Sequence, residues 1–183
     1  MPVLEFAKWL QGTDWATYLR MSAYIYPAIL ASHLTGIALF AGAVLVTDLR
    51  ILGVVMRNQP VSGVVNQLRW PKRIGFLIVA TCGFLLASSK AEEYYYNTFF
   101  RAKLALLVLV AVHALVFRGS VYNNAAALDR AKQIPGKAKL AAALLLLLWI
   151  TIACVGRGIG YIEPPLDKLH AALSSTATAE RPR

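Results

Sequence analysis

Four long apolar blocks constrain the fold of this chain more than any other feature of its sequence. They cover residues 23–46, 74–89, 102–117 and 140–156. A helix needs about 20 residues to cross a hydrocarbon core about 30 Å thick, and each block is close to that length. Only helices and closed barrels satisfy their backbone groups in lipid, and the blocks lack the alternation of barrel strands. The sequence therefore predicts an all-α fold, a four-helix transmembrane bundle.

The segment before the first block has a different character. It carries apolar side chains near helical spacing, at Val3, Phe6, Trp9 and Leu10. Its acidic and basic residues balance, whereas a cleaved signal peptide begins with basic residues and has a shorter apolar core. We expect a short interfacial N-terminal helix. The membrane domain is predicted to extend over residues 1–162, and residues 163–183 form a polar, partly flexible C-terminal tail.

The net charge of +10 is distributed unevenly between the predicted loops. The loops after the first and third blocks are rich in Arg and Lys, whereas the loop after the second is balanced. The positive-inside rule then places both basic loops in the cytoplasm and both termini on the periplasmic or extracellular side of the membrane. Because this rule accounts for the excess of positive charge, no nucleic-acid partner is expected.

Two histidines, His33 and His113, lie inside the first and third apolar blocks. Counted from the outer ends of those blocks, their depths are about 15 Å and about 16–20 Å, which predicts imidazoles at one level. Two imidazoles facing each other can ligate one haem iron from both sides. We therefore predict a bis-His haem b, with hydrogen bonding between helices or a path for protons, metals or substrate as alternatives.

Four further residues complete the predicted cofactor site. Gly36 and Gly83 would let helix backbones approach a flat porphyrin, although small residues also permit tight helix packing. Lys103 and Arg157 would bind the haem propionates, although long basic side chains also snorkel to headgroups. The only metal expected is the iron between the two histidines. We predict no catalytic residues, since no catalytic motif is present in the sequence.

Several short motifs resemble a known family. They are His33-Leu-Thr-Gly36, Phe40, Gly42, Asp48-Leu-Arg50-Ile-Leu-Gly53, Lys103, His113-Ala-Leu-Val-Phe-Arg118 and Gly156-Arg157. Over residues 20–162 the chain resembles small bacterial four-helix inner-membrane proteins and, more distantly, copper-resistance-D-like and b-type cytochrome membrane subunits. The resemblance implies that the two membrane histidines are haem ligands. It also implies that Asp48 and Arg50 close the first span, paired with each other or with Arg118.

The favoured function is a b-type haem membrane subunit that transfers single electrons between a periplasmic redox partner and membrane quinone. Such a chain would be the electron-transfer subunit of an oxidoreductase and not a stand-alone enzyme. Its expected partners are membrane lipid, a redox protein or larger membrane complex, and a second copy in a homo-oligomer. The alternatives are a small membrane transporter or metal-handling protein, or a structural accessory subunit, without haem.

Overall fold

The computed structural model describes residues 2–123, 125–131 and 133–161, apart from the side chains of Arg118 and Ser120. Within those residues the chain is helical and has no strand. The α-helices are α1 (Pro2–Gln11), α2 (Asp14–Met21), α3 (Ile25–Leu52), α4 (Val61–Gln67), α5 (Arg69–Ser89), α6 (Ala91–Tyr96), α7 (Thr98–Phe117), α8 (Ala125–Arg130) and α9 (Gly136–Ile159). A π-helical turn, Arg118–Tyr122, continues α7.

Four of these helices, α3, α5, α7 and α9, are long and apolar enough to cross a membrane. They confirm the predicted all-α bundle. The second span is longer than its apolar block because α5 begins at Arg69, and its 21 residues reach about 31 Å at helical rise. In α7 only 6% of the most apolar window is buried in the protein, so most of that helix surface is available to lipid. The chain is a multi-pass membrane protein.

Glycine determines how closely the first two spans pack. A Cβ on Gly75 of α5 would lie 2.8 Å from the backbone nitrogen of Phe40 on α3. A Cβ on Gly36 of α3 would lie 2.7 Å from Cγ2 of Ile78 on α5. Both distances are too short for any side chain, so α3 and α5 approach at van der Waals distance along this seam. The helix α9 packs against both α3 and α7. It therefore joins the pair α3 and α5 to the rest of the bundle.

The short helices α1, α2 and α6 cover one end of the bundle, here called the amino-terminal end. Lys8 of α1 lies 3.9 Å from Glu92 of α6, and Arg20 of α2 donates a hydrogen bond of 2.9 Å to the carbonyl of Ser89. The sequence predicted one interfacial helix, and the structure has two, α1 and α2. The chain turns between them, and the Thr13 hydroxyl bonds the carbonyl of Leu10.

The helices α4 and α8 cover the opposite end, here called the basic end. Their apolar side chains form a small core with the ends of α3 and α9, made by residues that include Ile51, Val61, Val65, Val121 and Leu128. This core fixes both basic loops against the ends of the membrane helices. The predicted C-terminal tail, residues 163–183, lies outside the described residues.

The close approach at Gly75 predicts a large cost for the smallest side chain. Gly75→Ala should lower the melting temperature of the purified protein, because overpacking a tight contact costs about 1–3 kcal/mol. The measurement is thermal unfolding in detergent, followed by tryptophan fluorescence. Gly42→Ala is the matched control, since a Cβ there meets no atom within 4 Å. Equal melting temperatures for the two variants would contradict the tight seam.

Candidate functional site

A cavity of about 240 Å³ lies between the long helices, toward the basic end. All four long helices and the π-helical turn contribute to it. Its polar lining residues are Thr47, Asp48, Lys72, His113 and Tyr122. The rest of its wall is apolar or aromatic and includes Phe40, Val44, Leu145 and Trp149. The cavity therefore places several ionisable groups within apolar surroundings inside the transmembrane helices.

The carboxylate of Asp48 on α3 is fully buried, with 0% of the residue exposed. Its Oδ1 accepts a hydrogen bond of 3.3 Å from the Tyr122 hydroxyl, and its Oδ2 has no hydrogen-bond partner among the described residues. Tyr122 reaches this position at the end of the π-helical turn, a feature that often marks functional sites. Burial, with the negative charge of Asp48, raises the pKa of Tyr122, so its phenol stays protonated and donates.

Lys72, in the first turn of α5, brings the opposite charge to the same cavity. Its ammonium donates a hydrogen bond of 3.2 Å to Oγ1 of Thr47, and its charge interacts with the carboxylate of Asp48. The Thr47 hydroxyl donates its own proton to the carbonyl of Ala43, so its oxygen is free to accept. A buried carboxylate is tolerated when a cation and hydrogen-bond donors lie near it, and Lys72 and Tyr122 supply both.

His113 on α7 is 7% exposed and forms the wall of the cavity opposite α3. Its Nε2 lies 2.9 Å from the carbonyl oxygen of Ala141 on α9. A carbonyl can only accept, so Nε2 carries a proton and the Nδ1 of a neutral ring is an acceptor. This Nδ1 is buried and has no partner among the described residues, and neither has Nε1 of Trp149.

Three buried polar atoms of the cavity lining have no hydrogen-bond partner among the described residues. Leaving one buried polar group unsatisfied costs about 1–3 kcal/mol, and three such atoms belong to residues that line this cavity. A volume of about 240 Å³ is below the usual range for drug-sized ligands. It corresponds to about eight waters at about 30 Å³ each. Water or a small solute in the cavity would supply hydrogen-bond partners to these atoms.

The structure places His33 in a different environment from His113. Its ring packs on α5, with Cε1 3.0 Å from the Cβ position of Gly83. The α3 residues that line the cavity beside His113 begin at Phe40, about two helical turns closer to the basic end than His33. The two imidazoles therefore do not lie at one level.

The prediction of equal depth is wrong because it counted from the ends of the apolar blocks and not from the ends of the helices. His33 lies eight residues into α3, whereas His113 lies fifteen residues into α7. As placed, the two rings do not fit the axial positions of one haem iron, which must lie between facing imidazoles. Haem binding by another arrangement stays a prediction.

The other predicted site residues are also separated from the cavity. Gly36 serves the contact between α3 and α5, and Gly83 accommodates the His33 ring. Arg157 is exposed, donates to the Tyr161 hydroxyl at 3.0 Å and lies over its ring. Lys103 lies beside Gly156, and a Cβ there would be 4.0 Å from its Nζ. Sequence reasoning thus named one residue of the cavity, His113, as a site residue.

Asp48 and Arg50, which were expected to close the first span as a pair, have other partners in the structure. The guanidinium of Arg50 donates to the backbone carbonyl of Gln59, and Asp48 is bonded to Tyr122. The predicted pairing of Asp48 with Arg50 is therefore wrong: Asp48 faces the cavity, whereas Arg50 faces the loop. The alternative partner, the Arg118 side chain, lies outside the described residues. Over the described part of the chain, no group of three His, Cys, Asp or Glu residues could hold a metal ion.

Asp129 joins α4 and α8, the two short helices that cover the basic end of the bundle. Its carboxylate on α8 accepts hydrogen bonds from the backbone amides of Val61 and Ser62, at the start of α4. Partial burial acts to raise the pKa of Asp129, but these hydrogen bonds and the nearby positive charge of Arg50 outweigh it and hold the pKa below its usual value. The charged carboxylate is therefore the form that holds α4 in place.

Removing this carboxylate should loosen α4. Asp129→Ala should raise the amide hydrogen-exchange rate of residues 61–67 by about fivefold, as expected for losing a helix cap of about 1 kcal/mol. Because the folded pKa is lowered, the wild-type protection should be complete above the unfolded value of about 3.9 and fall as the pH drops below it. Asp14→Ala, at a helix start without a side-chain cap, is the control. Unchanged exchange in Asp129→Ala would exclude this role.

Comparison with known proteins identifies a family match over most of the chain. A family of unknown function, DUF6644, matches residues 6–162. No curated protein and no solved structure matches the chain significantly.

Proposed function

We propose that this protein, which belongs to the DUF6644 family, is a small membrane transporter that moves protons through the cavity between the long helices. The single observation behind the proposal is the fully buried carboxylate of Asp48, whose Oδ2 has no partner in the described residues of a cavity inside the bundle. Ionisable groups at membrane depth are costly, and they commonly belong to proton and ion pathways.

The lining residues supply the chemistry that a proton relay needs. Asp48 accepts a proton on Oδ2 and His113 accepts one on Nδ1, since both atoms are acceptors without partners. Lys72 compensates the charge of Asp48 when it is deprotonated. Water in the cavity would connect the two acceptors, because a wet cavity carries protons between groups that do not touch.

The proposed proton route is closed at both ends of the cavity. At the basic end, which the charge of the loops assigns to the cytoplasm, α4 and α8 pack over the ends of α3 and α9, and Asp129 joins the two short helices. Toward the other end, Phe40 and Trp149 meet edge to face with ring centroids 5.2 Å apart. Apolar constrictions of this kind interrupt a water path until they are wetted. Transport would then require the aromatic pair to separate transiently.

The haem-carrier hypothesis is less well supported by the packing. It needs two imidazoles facing one iron, whereas Nε2 of His113 is bonded to Ala141 and His33 packs on Gly83. An accessory subunit would not need buried acceptors without partners. The cavity therefore favours the transporter, which was the alternative from the sequence.

Proton movement can be measured in liposomes that contain the purified protein and a trapped pH-sensitive dye. A potassium diffusion potential, negative inside, drives protons inward. Wild-type vesicles should acidify faster than protein-free vesicles. Asp48→Asn should slow this protein-dependent rate by about a hundredfold, because an amide cannot take part in proton transfer.

Asp14→Asn is the matched control, because Asp14 lies on α2 outside the four spans, and it should conduct like the wild type. Wild-type vesicles that acidify no faster than empty ones would refute proton transport. Conduction that survives in Asp48→Asn would show that protons take another route.

A further inference from the structure

The ammonium of Lys72 bears on which ions the proposed transport route can carry. Its Nζ donates a hydrogen bond of 3.2 Å to Oγ1 of Thr47, the residue next to Asp48 on α3. All three side chains belong to residues that line the cavity between the long helices. The charges of Lys72 and Asp48 interact, although the two groups do not form a direct ion pair. The closest polar contact of the ammonium is therefore the Thr47 hydroxyl.

The oxygen atoms near this ammonium are of the kind that a small cation binds. Hard metal cations take oxygen ligands such as carboxylates, carbonyls and water. Here Asp48 supplies a fully buried carboxylate, and Thr47 supplies a buried hydroxyl oxygen whose proton is donated to the carbonyl of Ala43. The Tyr122 hydroxyl binds Oδ1 of the carboxylate and leaves Oδ2 available. Lys72 thus lies where a free cation would find two oxygen ligands.

The fixed charges of the cavity lining balance each other. Among the described residues that line it, Asp48 is the one acidic residue and Lys72 is the one lysine or arginine. A metal cation entering the cavity would meet the ammonium, and two positive charges repel strongly at short range in a low-dielectric interior. A proton forms a covalent bond to Oδ2 of Asp48 and needs no shell of oxygen ligands. The ammonium therefore opposes metal cations more than it opposes protons.

We infer that the Lys72 ammonium occupies the place of a small monovalent cation beside Thr47 and Asp48, and that it excludes sodium and potassium ions from the cavity. The inference rests on the proposed proton transport only for its consequence, which is selectivity for protons. The placement of the ammonium itself is tested by binding. Removing Nζ should open this place to a free cation, because the carboxylate and the hydroxyl oxygen remain.

Lys72→Ala tests this placement, with methylammonium chloride as the first probe because it carries the charged group that the variant lacks. Tryptophan fluorescence follows thermal unfolding of the purified protein in detergent. The melting temperature of Lys72→Ala should rise by a few degrees with methylammonium and reach a plateau, since a ligand that binds the folded state stabilises it by mass action. Sodium or potassium chloride should also give a saturable rise. The wild type should show none, relative to choline chloride at equal ionic strength.

Arg73→Ala is the matched control for the loss of one positive charge from α5. The Arg73 side chain is exposed and lies over the Trp70 ring, so this variant should respond like the wild type. Asp48→Asn combined with Lys72→Ala removes the carboxylate as well and should abolish the rise. Lys72→Met keeps the apolar stem and lacks only the ammonium. It should show the saturable rise with sodium or potassium, which covers the case in which Lys72→Ala does not fold.

Three results would overturn the inference. The first is a response of Lys72→Ala and Lys72→Met to all three cations that is no larger than the wild-type response. The second is a rise with methylammonium but with neither metal ion, because Lys72 would then not be what excludes them. The third is a wild type that binds sodium or potassium saturably. None of these results depends on proton flux, so vesicles that conduct no protons would refute the transport proposal alone.

Discussion

The buried carboxylate of Asp48 determines how the basic end of this bundle is built. It lies inside a membrane span, fully enclosed, and it is compensated from two other elements. Tyr122 approaches from the π-helical turn and Lys72 from the first turn of α5. These contacts link α3, α5 and the end of α7 around one charge. Replacing that charge by an apolar residue would leave Tyr122 and Lys72 without the carboxylate that they contact. The same residue therefore affects both the packing of the basic end and the proposed proton transfer.

The polar groups of the spans divide into two sets along the membrane normal. One set surrounds the cavity near the basic end, and the other, Lys103 and His33, lies toward the amino-terminal end. The aromatic contact of Phe40 with Trp149 lies between them. Because of this separation, one cofactor cannot contact both histidines. His113 instead contacts α9, and His33 packs on α5. The separation also leaves each set with buried atoms that the described chain does not satisfy.

The fold could be predicted from sequence because it depends on apolar length, which local composition reports directly. The cavity could not be predicted from sequence, because it depends on how far each helix is shifted along its neighbours. Lys72 looked like one more positive charge in a basic loop, and only the start of α5 at Arg69 places it inside the bundle. Tyr122 follows the third block in a segment without periodicity, and only the π-helical turn brings it to Asp48. The depth of His113 was misjudged for the same reason, since helix ends extend beyond apolar blocks.

The central claim is that the buried carboxyl of Asp48 exchanges its proton with water in the cavity. Infrared difference spectroscopy of the wild type against Asp48→Asn isolates the carboxyl band of this residue. At a pH low enough to protonate this carboxylate in the folded protein, we predict a carboxyl band that is absent from the variant and shifts within minutes of transfer to D₂O, since protons and water reach the cavity in the folded protein. A band that stays unshifted until the protein unfolds would contradict it.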